Sequence, residues 1–289
     1  MKYNTTLSKL FLQSTLSKKL TLTLFGVILV LASYAQTNIT STAAGGPWNS
    51  TTTWVGGVVP TQGGNDNAII APGATVTVTA AASCVNLTIN GNLTMNNSGF
   101  TLSIGNPGSN TGSLTLNAGS NFFIGSANTV EFLATQTGPG ITNNGGTIAS
   151  SGVNGSDGGT IQTDASSGGG FFLSGNATTF YNFKFIQNAT FNTTGISAWT
   201  VNGTFTIPNN NWGWVGGSKS PIYGAASTLS INTTQAYNIN GGNFGGQHYE
   251  WASTAGATIG VTPGYPNNVT ISSSTCCTSA GAGVANING

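Results

Sequence analysis

Short segments in which apolar and polar residues alternate recur along the chain. In VNLTINGNLTM, residues 85–95, the runs Leu-Thr-Ile and Leu-Thr-Met flank Asn90-Gly91-Asn92. Alternation with a period of two is typical of strands that bury one side, and Asn and Gly tolerate positive φ angles and so favour tight corners. The pattern therefore predicts short strands separated by Asn-Gly corners.

This unit returns further along the chain. It recurs as YNFKFIQNATF at 181–191, as TVNGTFTI at 200–207 and, in part, as ANING at 285–289. An offset of 96 residues places Phe183 on Leu87. Such a unit cannot bury its apolar side alone, whereas stacked units form a continuous core. We therefore expect an all-β fold, a right-handed parallel β-helix or β-solenoid, with a tandem β-sandwich whose Asn-Gly pairs form hairpin turns as the alternative.

The solenoid is favoured because the strands stay short and end in glycine throughout. It predicts strands stacked about 4.8 Å apart, with Asn side chains at matching corners forming amide ladders. Thr88 and Lys184 should point outward. The residues expected to point into one core are Leu87, Ile89, Leu93, Phe183, Phe185, Phe205 and Ile207.

The N-terminus has the order of a secretory signal peptide. Lysines precede the apolar run LTLTLFGVILVLASYA, and the small residues Ser33 and Ala35 stand before Gln36, where cleavage is expected. No later run is long enough to span a bilayer, which needs about 20 residues. The expected regions are a signal peptide at 1–35, a β-repeat region at 36–140, further repeats at 141–248 and the start of another repeat, truncated, at 249–289.

Charge is scarce. Residues 1–35 hold four of the six lysines and the chain has no arginine, so the mature part carries Lys184 and Lys219 against five acidic residues, a net charge of −3. Two lysines cannot build a basic groove, which excludes nucleic acid as a partner. Charged residues make up 4% of the chain, against about 25% in ordinary soluble domains. The 14 phenylalanines argue for order and against a disordered chain.

The titratable residues do not form a recognisable site. Asp157 and Asp164, seven residues apart, could pair as a glycosidase acid and base or hold calcium, but turn aspartates are the favoured interpretation. Asp66, between two asparagines, is similarly interpreted as turn chemistry. His248 and Glu250 lack a nucleophile nearby. We expect no catalytic residue, no metal and no cofactor.

The cysteines are odd in number and have no zinc-site spacing. Cys276 and Cys277 are adjacent, and neighbouring cysteines seldom bond to each other. Pairing of Cys84 with one of them, or of any of the three with a cysteine elsewhere, stays open.

The tryptophans lie among glycine, asparagine and threonine, a setting suited to stacking on a neutral glycan. Trp212 and Trp214 would share one face of a strand, because residues two apart point the same way. With Trp251 they are the candidate ligand-binding residues. The alternative is that the aromatic residues cap or plug the solenoid. The six tryptophans are Trp48, Trp54, Trp199, Trp212, Trp214 and Trp251.

Two family resemblances follow from these segments. Residues 48–95, with Trp54, Pro60 and the glycines between them, resemble the extracellular eight-glycine domain, a β-rich module of cell-surface and hyaluronan-processing proteins. Residues 178–185 and 223–271 resemble the long surface proteins of gliding Gram-negative bacteria. That resemblance implies export by a signal peptide and type IX secretion, whose C-terminal sorting tail is missing here. It implies no catalytic residues.

The sequence thus predicts a secreted or extracellular, outer-membrane-surface-attached β-solenoid of structural or adhesin-like function, not an enzyme, with extracellular polysaccharide or cell-surface components as partners. The alternative is the non-catalytic carbohydrate-binding part of a secreted polysaccharide-degrading enzyme.

Overall fold

The computed structural model describes ten stretches of the chain, and the signal-peptide segment lies outside them. The described residues are 36–96, 98–107, 112–133, 140–150, 158–163, 170–186, 190–207, 213–215, 218–232 and 266–272. From Asn38 onward they belong to one compact unit. In these stretches no helix has the length and apolar character needed to cross a membrane.

The described residues form 24 strands, numbered along the chain, which assemble into parallel sheets. The first sheet, in hydrogen-bonded order, consists of β1 (Thr37–Thr40), β3 (Asp66–Ile70), β6 (Leu87–Ile89), β9 (Ser113–Asn117), β12 (Gly140–Asn144), β15 (Gly170–Gly175), β18 (Thr190–Ile196) and β21 (Gly213–Trp214).

A second face is made of two sheets that lie next to each other through their end strands. These sheets consist of β2 (Gly46–Pro47), β4 (Thr75–Val78), β7 (Asn92–Met95), β10 (Asn121–Ile124) and β13 (Thr147–Ser150), then β16 (Thr178–Phe180), β19 (Trp199–Val201) and β22 (Ile222–Tyr223).

The third face is again a single sheet of eight strands, which is called the third sheet below. It consists of β5 (Ala82–Cys84), β8 (Thr101–Ile104), β11 (Thr129–Phe132), β14 (Thr160–Thr163), β17 (Asn182–Phe185), β20 (Thr204–Ile207), β23 (Thr228–Asn232) and β24 (Asn268–Ser272).

The chain visits the three faces in turn, so that β3, β4 and β5 form one coil and β6, β7 and β8 form the next. Every pairing between the strands of the described residues is parallel, as between Leu87 and Leu114 or between Val130 and Ile161. A sandwich built from hairpins would pair its strands antiparallel. The prediction of a parallel β-solenoid is therefore confirmed, and the sandwich alternative is wrong.

The stacking register differs from the alignment made on the sequence. Leu87 pairs with Leu114, 27 residues later, whereas Thr228 pairs with Asn268, 40 residues later. Coil length therefore varies. Phe183 lies in the third sheet and Leu87 in the first, so the offset of 96 compared strands from different faces of the solenoid. The alternation of residues is local and looks the same on all faces, which is why it identified strands but not their neighbours.

The alternating pattern does set which residues are inside. All seven residues predicted to point inward are at most 1% exposed, whereas Thr88 is half-buried and Lys184 is exposed. Toward the C-terminal coils the core becomes aromatic. The Phe183 ring stacks on Phe191 with centroids 5.6 Å apart, and Trp199 packs edge-on against Phe205 at 5.4 Å.

The Asn90-Gly91 corner joins β6 to β7 and is not a hairpin turn. Gly91 does not have the positive φ that the sequence suggested. It is needed for a different reason, since a Cβ there would lie 2.3 Å from the Ala71 carbonyl oxygen and 2.5 Å from that of Ala74. The corner requires glycine because the coil beneath it is so close.

Amide ladders connect neighbouring coils, and one of them runs along a corner, as the solenoid predicted. In this ladder the Asn117 Nδ2 donates to Asn90 Oδ1 at 2.7 Å, and the Asn144 Nδ2 donates to Asn117 Oδ1 at 2.9 Å. A second ladder runs partly within strands and not along a corner: it joins Asn86, before β6, to Asn67 of β3 at 2.8 Å, and Asn67 to Asn38 of β1 at 2.7 Å. Each amide donates to one coil and accepts from the next, so the ladders fix the register of neighbouring coils.

Candidate functional site

The outer side of the third sheet is an array of short polar side chains. Because alternate residues of a strand point to opposite sides, the four-residue strands place two side chains outward and two, mostly apolar, inward. The three-residue β5 places one side chain outward. Parallel register then stacks these side chains into two columns about 4.8 Å per step. The first column contains Ser83, Ser103, Glu131, Gln162, Lys184, Thr206, Ser230 and Thr270.

The second column is formed by the residues two positions earlier in the seven strands of this sheet from β8 onward. It contains Thr101, Thr129, Thr160, Asn182, Thr204, Thr228 and Asn268. Within the described residues its members carry hydroxyl or amide groups and no charge. The face therefore offers repeated neutral donors and acceptors.

Charge on this face is confined to the middle of the first column. Glu131, Gln162 and Lys184 stand on three successive strands, and the Gln162 Nε2 donates to Glu131 Oε1 at 2.8 Å. The amide thus lies between a carboxylate and an ammonium group two strands apart. Opposite charges placed this way cancel over a short distance, which leaves the face as a whole neutral.

A groove lies at the β5 end of this face, where the sheet has its first strand. Its volume is about 270 Å³. Apolar lining comes from Trp48, Val59 and Pro60, and polar lining from the Thr61, Ser83, Thr101 and Ser103 hydroxyl groups and from Asn49. Its described lining contains no ionisable side chain. The groove is thus a neutral, half-apolar concavity continuous with both polar columns.

Trp48, one of the lining residues, carries an unsatisfied donor. Trp48 is 1% exposed, and its Nε1 is buried without a hydrogen-bond partner among the described residues. Two other buried indoles are satisfied. Trp54 Nε1 donates to the Trp48 carbonyl oxygen at 2.6 Å, and Trp199 Nε1 donates to the Lys219 carbonyl oxygen at 2.7 Å. A buried donor without an acceptor costs about 1–3 kcal/mol, so the Trp48 N–H stands out among the three.

The tryptophans predicted to bind a ligand are not part of this groove as described. Trp214 ends β21, where its backbone pairs with Phe191. Trp212 and Trp251 lie outside the described residues, so a glycan platform on these three residues stays a prediction. Trp48, Trp54 and Trp199 are buried, which matches the alternative that aromatic residues fill the solenoid.

Asp66 is tied to its own turn. Its Oδ2 accepts hydrogen bonds from the Thr61 backbone N–H at 3.1 Å and from the Thr61 hydroxyl at 3.5 Å. The residue before it, Asn65, adopts a left-handed φ of 57°. This is the turn chemistry that the sequence favoured. Within the described stretches there is no cluster of three or more histidine, cysteine or acidic side chains that could hold a metal.

The other titratable candidates fall mostly outside the described residues, namely Asp157, Asp164, His248, Glu250, Cys276 and Cys277. Cys84 is a free, buried thiol inside the solenoid. Burial raises its pKa well above the usual range for a thiol, and the nearby Asp66 carboxylate acts in the same direction. Because the thiolate is the reactive form, Cys84 is a core residue and not a nucleophile.

No sequence pattern indicated the groove. Thr101 and Ser103 occupy the outward positions of β8, a role that the alternation did predict. What could not be read was which segment closes the groove, because residues 59–61 reach it through a loop outside the strand pattern.

Comparisons of the chain with protein-family models, curated proteins and solved structures return no match.

Proposed function

We propose that this chain is a secreted or cell-surface structural segment of adhesin-like type, whose β-solenoid presents a neutral polar face to neutral glycans. The observation that carries the proposal is the pair of outward columns on the third sheet. Hydroxyl and amide groups repeat along up to eight strands there, and the charges are limited to Glu131 and Lys184.

A neutral glycan is recognised by hydrogen bonds from hydroxyl and amide groups together with apolar contact, and it needs no ion pair. Serine and threonine hydroxyls both donate and accept, which matches the hydroxyls of a sugar. The strand spacing of about 4.8 Å is close to the length of one pyranose ring. A polysaccharide lying along the columns would therefore meet a similar set of groups at each ring, and many weak contacts add through multivalency.

The stacked core supports an extended, rigid role. One cluster of buried apolar residues runs from Ile39 to Ile231, and amide ladders connect the coils. Lys219 is also held in place, because its Nζ donates to the carbonyl oxygens of Ile196 and Ser197 at 2.6 and 3.2 Å. Such a stack suits a spacer or display element at a cell surface.

Two measurements test the proposal. Cells that produce the protein should yield it in the medium or in a form that added protease digests on intact cells, with an N-terminus at or near Gln36 by mass spectrometry. The purified chain should co-sediment with neutral insoluble polysaccharides, tested with cellulose and chitin, in a manner nearly independent of salt. An intact Met1 on protein confined to the cytoplasm would refute the export. Binding to neither polysaccharide, or binding that salt abolishes, would refute neutral-glycan contact.

A further inference from the structure

We propose that the groove at the β5 end of the third sheet is the specific binding site for one neutral sugar ring of a glycan. The inference deepens the proposed function and rests on it, since it assigns the glycan contact to particular residues. It also moves that contact away from the tryptophans that the sequence suggested.

The lining has the two kinds of surface that a pyranose ring needs. The half-buried Val59 and the exposed Ala81 provide apolar surface for the C–H groups of the ring, with the buried Trp48 and Pro60 behind them, while Thr101 and Ser103 provide hydroxyl groups for its edge. Sugar sites combine apolar walls with a small number of placed polar groups. A volume of about 270 Å³ lies just below the range of about 300–1,000 Å³ for drug-sized ligands, which suits a single ring.

The charge of the lining selects a neutral sugar over a uronic acid. A buried carboxylate needs a cation or several donors to offset its desolvation. The nearest lysine in the same column is Lys184, four strands from Ser83, or about 19 Å at the usual strand spacing. An acidic sugar would therefore enter the groove without a partner for its charge.

The Trp48 indole N–H supplies the second argument. It is a buried donor without an acceptor among the described residues, on a residue that lines the groove. The nitrogen is enclosed in this structure, so a ring oxygen or hydroxyl of a bound sugar would reach it only after the indole turns toward the groove. That hydrogen bond would then remove the cost of the unsatisfied donor.

A peptide strand is the competing occupant, because β5 is the end strand of its sheet. Two features disfavour it. β5 is three residues long, which offers few ladder hydrogen bonds. Pro60, another lining residue, has no backbone N–H to donate. Four lining residues carry hydroxyl groups, and this favours the sugar.

The chain provides a matched pair of sites for the test. Thr-Leu-Ser-Ile occurs at 101–104 in β8, beside the groove, and again at 228–231 in β23 of the same sheet. The double variant T101V/S103A removes two hydroxyls of the groove. T228V/S230A removes the same two groups at the far end of the face. The four replaced side chains are only half-buried and lie outside the core. Both variants should therefore fold, which far-UV circular dichroism would verify.

Binding is measured by calorimetry with neutral hexasaccharides of glucose, mannose and xylose, and with a hexagalacturonide as the acidic control. We expect at least one neutral hexasaccharide to bind. T101V/S103A should lower the affinity for that hexasaccharide about tenfold or more, as expected for the loss of one to two hydrogen bonds. T228V/S230A should bind it like the unmodified chain. W48F, which keeps an aromatic side chain and loses the N–H, should also weaken binding, while W199F should not.

Several results would overturn the assignment. Equal affinity of both double variants would place binding elsewhere on the chain, and tighter binding of the hexagalacturonide would contradict the neutral lining. Displacement of the sugar by an unstructured peptide, with the peptide binding more tightly, would favour the strand. If the whole chain binds neutral polysaccharide yet the groove variants do not change it, the proposed function stands and the groove assignment fails. If no neutral glycan binds at all, both fail.

Discussion

Asn117 is the middle rung of an amide ladder, and its replacement by aspartate should cost more stability than its replacement by alanine. The wild-type side chain donates to Asn90 Oδ1 at 2.7 Å and accepts from Asn144 Nδ2 at 2.9 Å. Alanine removes both bonds, each worth about 0.5–1.5 kcal/mol, for a loss of about 1–3 kcal/mol. Alanine at Asn144, the exposed last rung, removes one bond and should cost about 0.5–1.5 kcal/mol.

Aspartate at position 117 still accepts from Asn144 but cannot donate to Asn90. Two acceptor oxygens then face each other, and one of them is charged. The folded state disfavours this ionised form, so the pKa of the new carboxyl should be higher in the folded chain than in the unfolded chain. Because the folded state then binds more protons, its stability falls as pH rises. N117D should therefore be closer to wild type at pH 4 than at pH 7.

The assay is urea unfolding followed by circular dichroism, with the three variants and wild type measured at both pH values. The exposed Asn176 makes no side-chain hydrogen bond recorded among the described residues, so N176A is the control and should match wild type. Equal stability of N117A, N144A and N176A would show that the ladder contributes nothing. An N117D penalty that is the same at pH 4 and pH 7 would refute the facing-acceptor geometry.

Three further experiments test the core and the corners. Phe183→Ala should cost about 3–5 kcal/mol because the ring is fully buried, whereas the outward Lys184→Ala should change the free energy of unfolding little, and equal effects would contradict the inside–outside assignment. Gly91→Ala should destabilise strongly because its Cβ would meet a carbonyl oxygen at 2.3 Å, whereas Gly63→Ala, with open space around it, should be neutral or slightly stabilising. In a chain whose Cys276 and Cys277 are serine, the Cys84 thiol should react with a thiol reagent after unfolding in urea and not before, and rapid labelling of the folded chain would show that it is not buried.

The fold class was readable from the sequence because alternation of period two depends on neighbouring residues. Leu87 and Ile89 point inward simply because they flank an outward Thr88. Register was not readable, since coil lengths depend on corner loops of unequal length. The position of Phe183 in the third sheet follows from the path of the whole chain around earlier coils, information that no local pattern contains.

Part of the candidate site could likewise be predicted from the sequence, and part could not. Hydroxyls at Thr101 and Ser103 follow from the strand pattern. The approach of Pro60 to them does not, because it depends on a loop that leaves the repeat. Likewise, glycine at position 91 was recognised as a corner residue, but the reason for it lies in the carbonyl groups of the preceding coil. Contacts between coils are the information that a single sequence lacks.

The most direct test of the account is the distance between spin labels placed along the first column of the third sheet. One label stays at Ser103 and the second is moved from Lys184 to Thr206 and then to Ser230, in a chain whose two C-terminal cysteines are serine. These positions are three, four and five strands from Ser103, so electron-spin resonance should give distances of about 14, 19 and 24 Å. Equal increments would establish the parallel stack in this register. Distances that fall back or change irregularly along the series would contradict it.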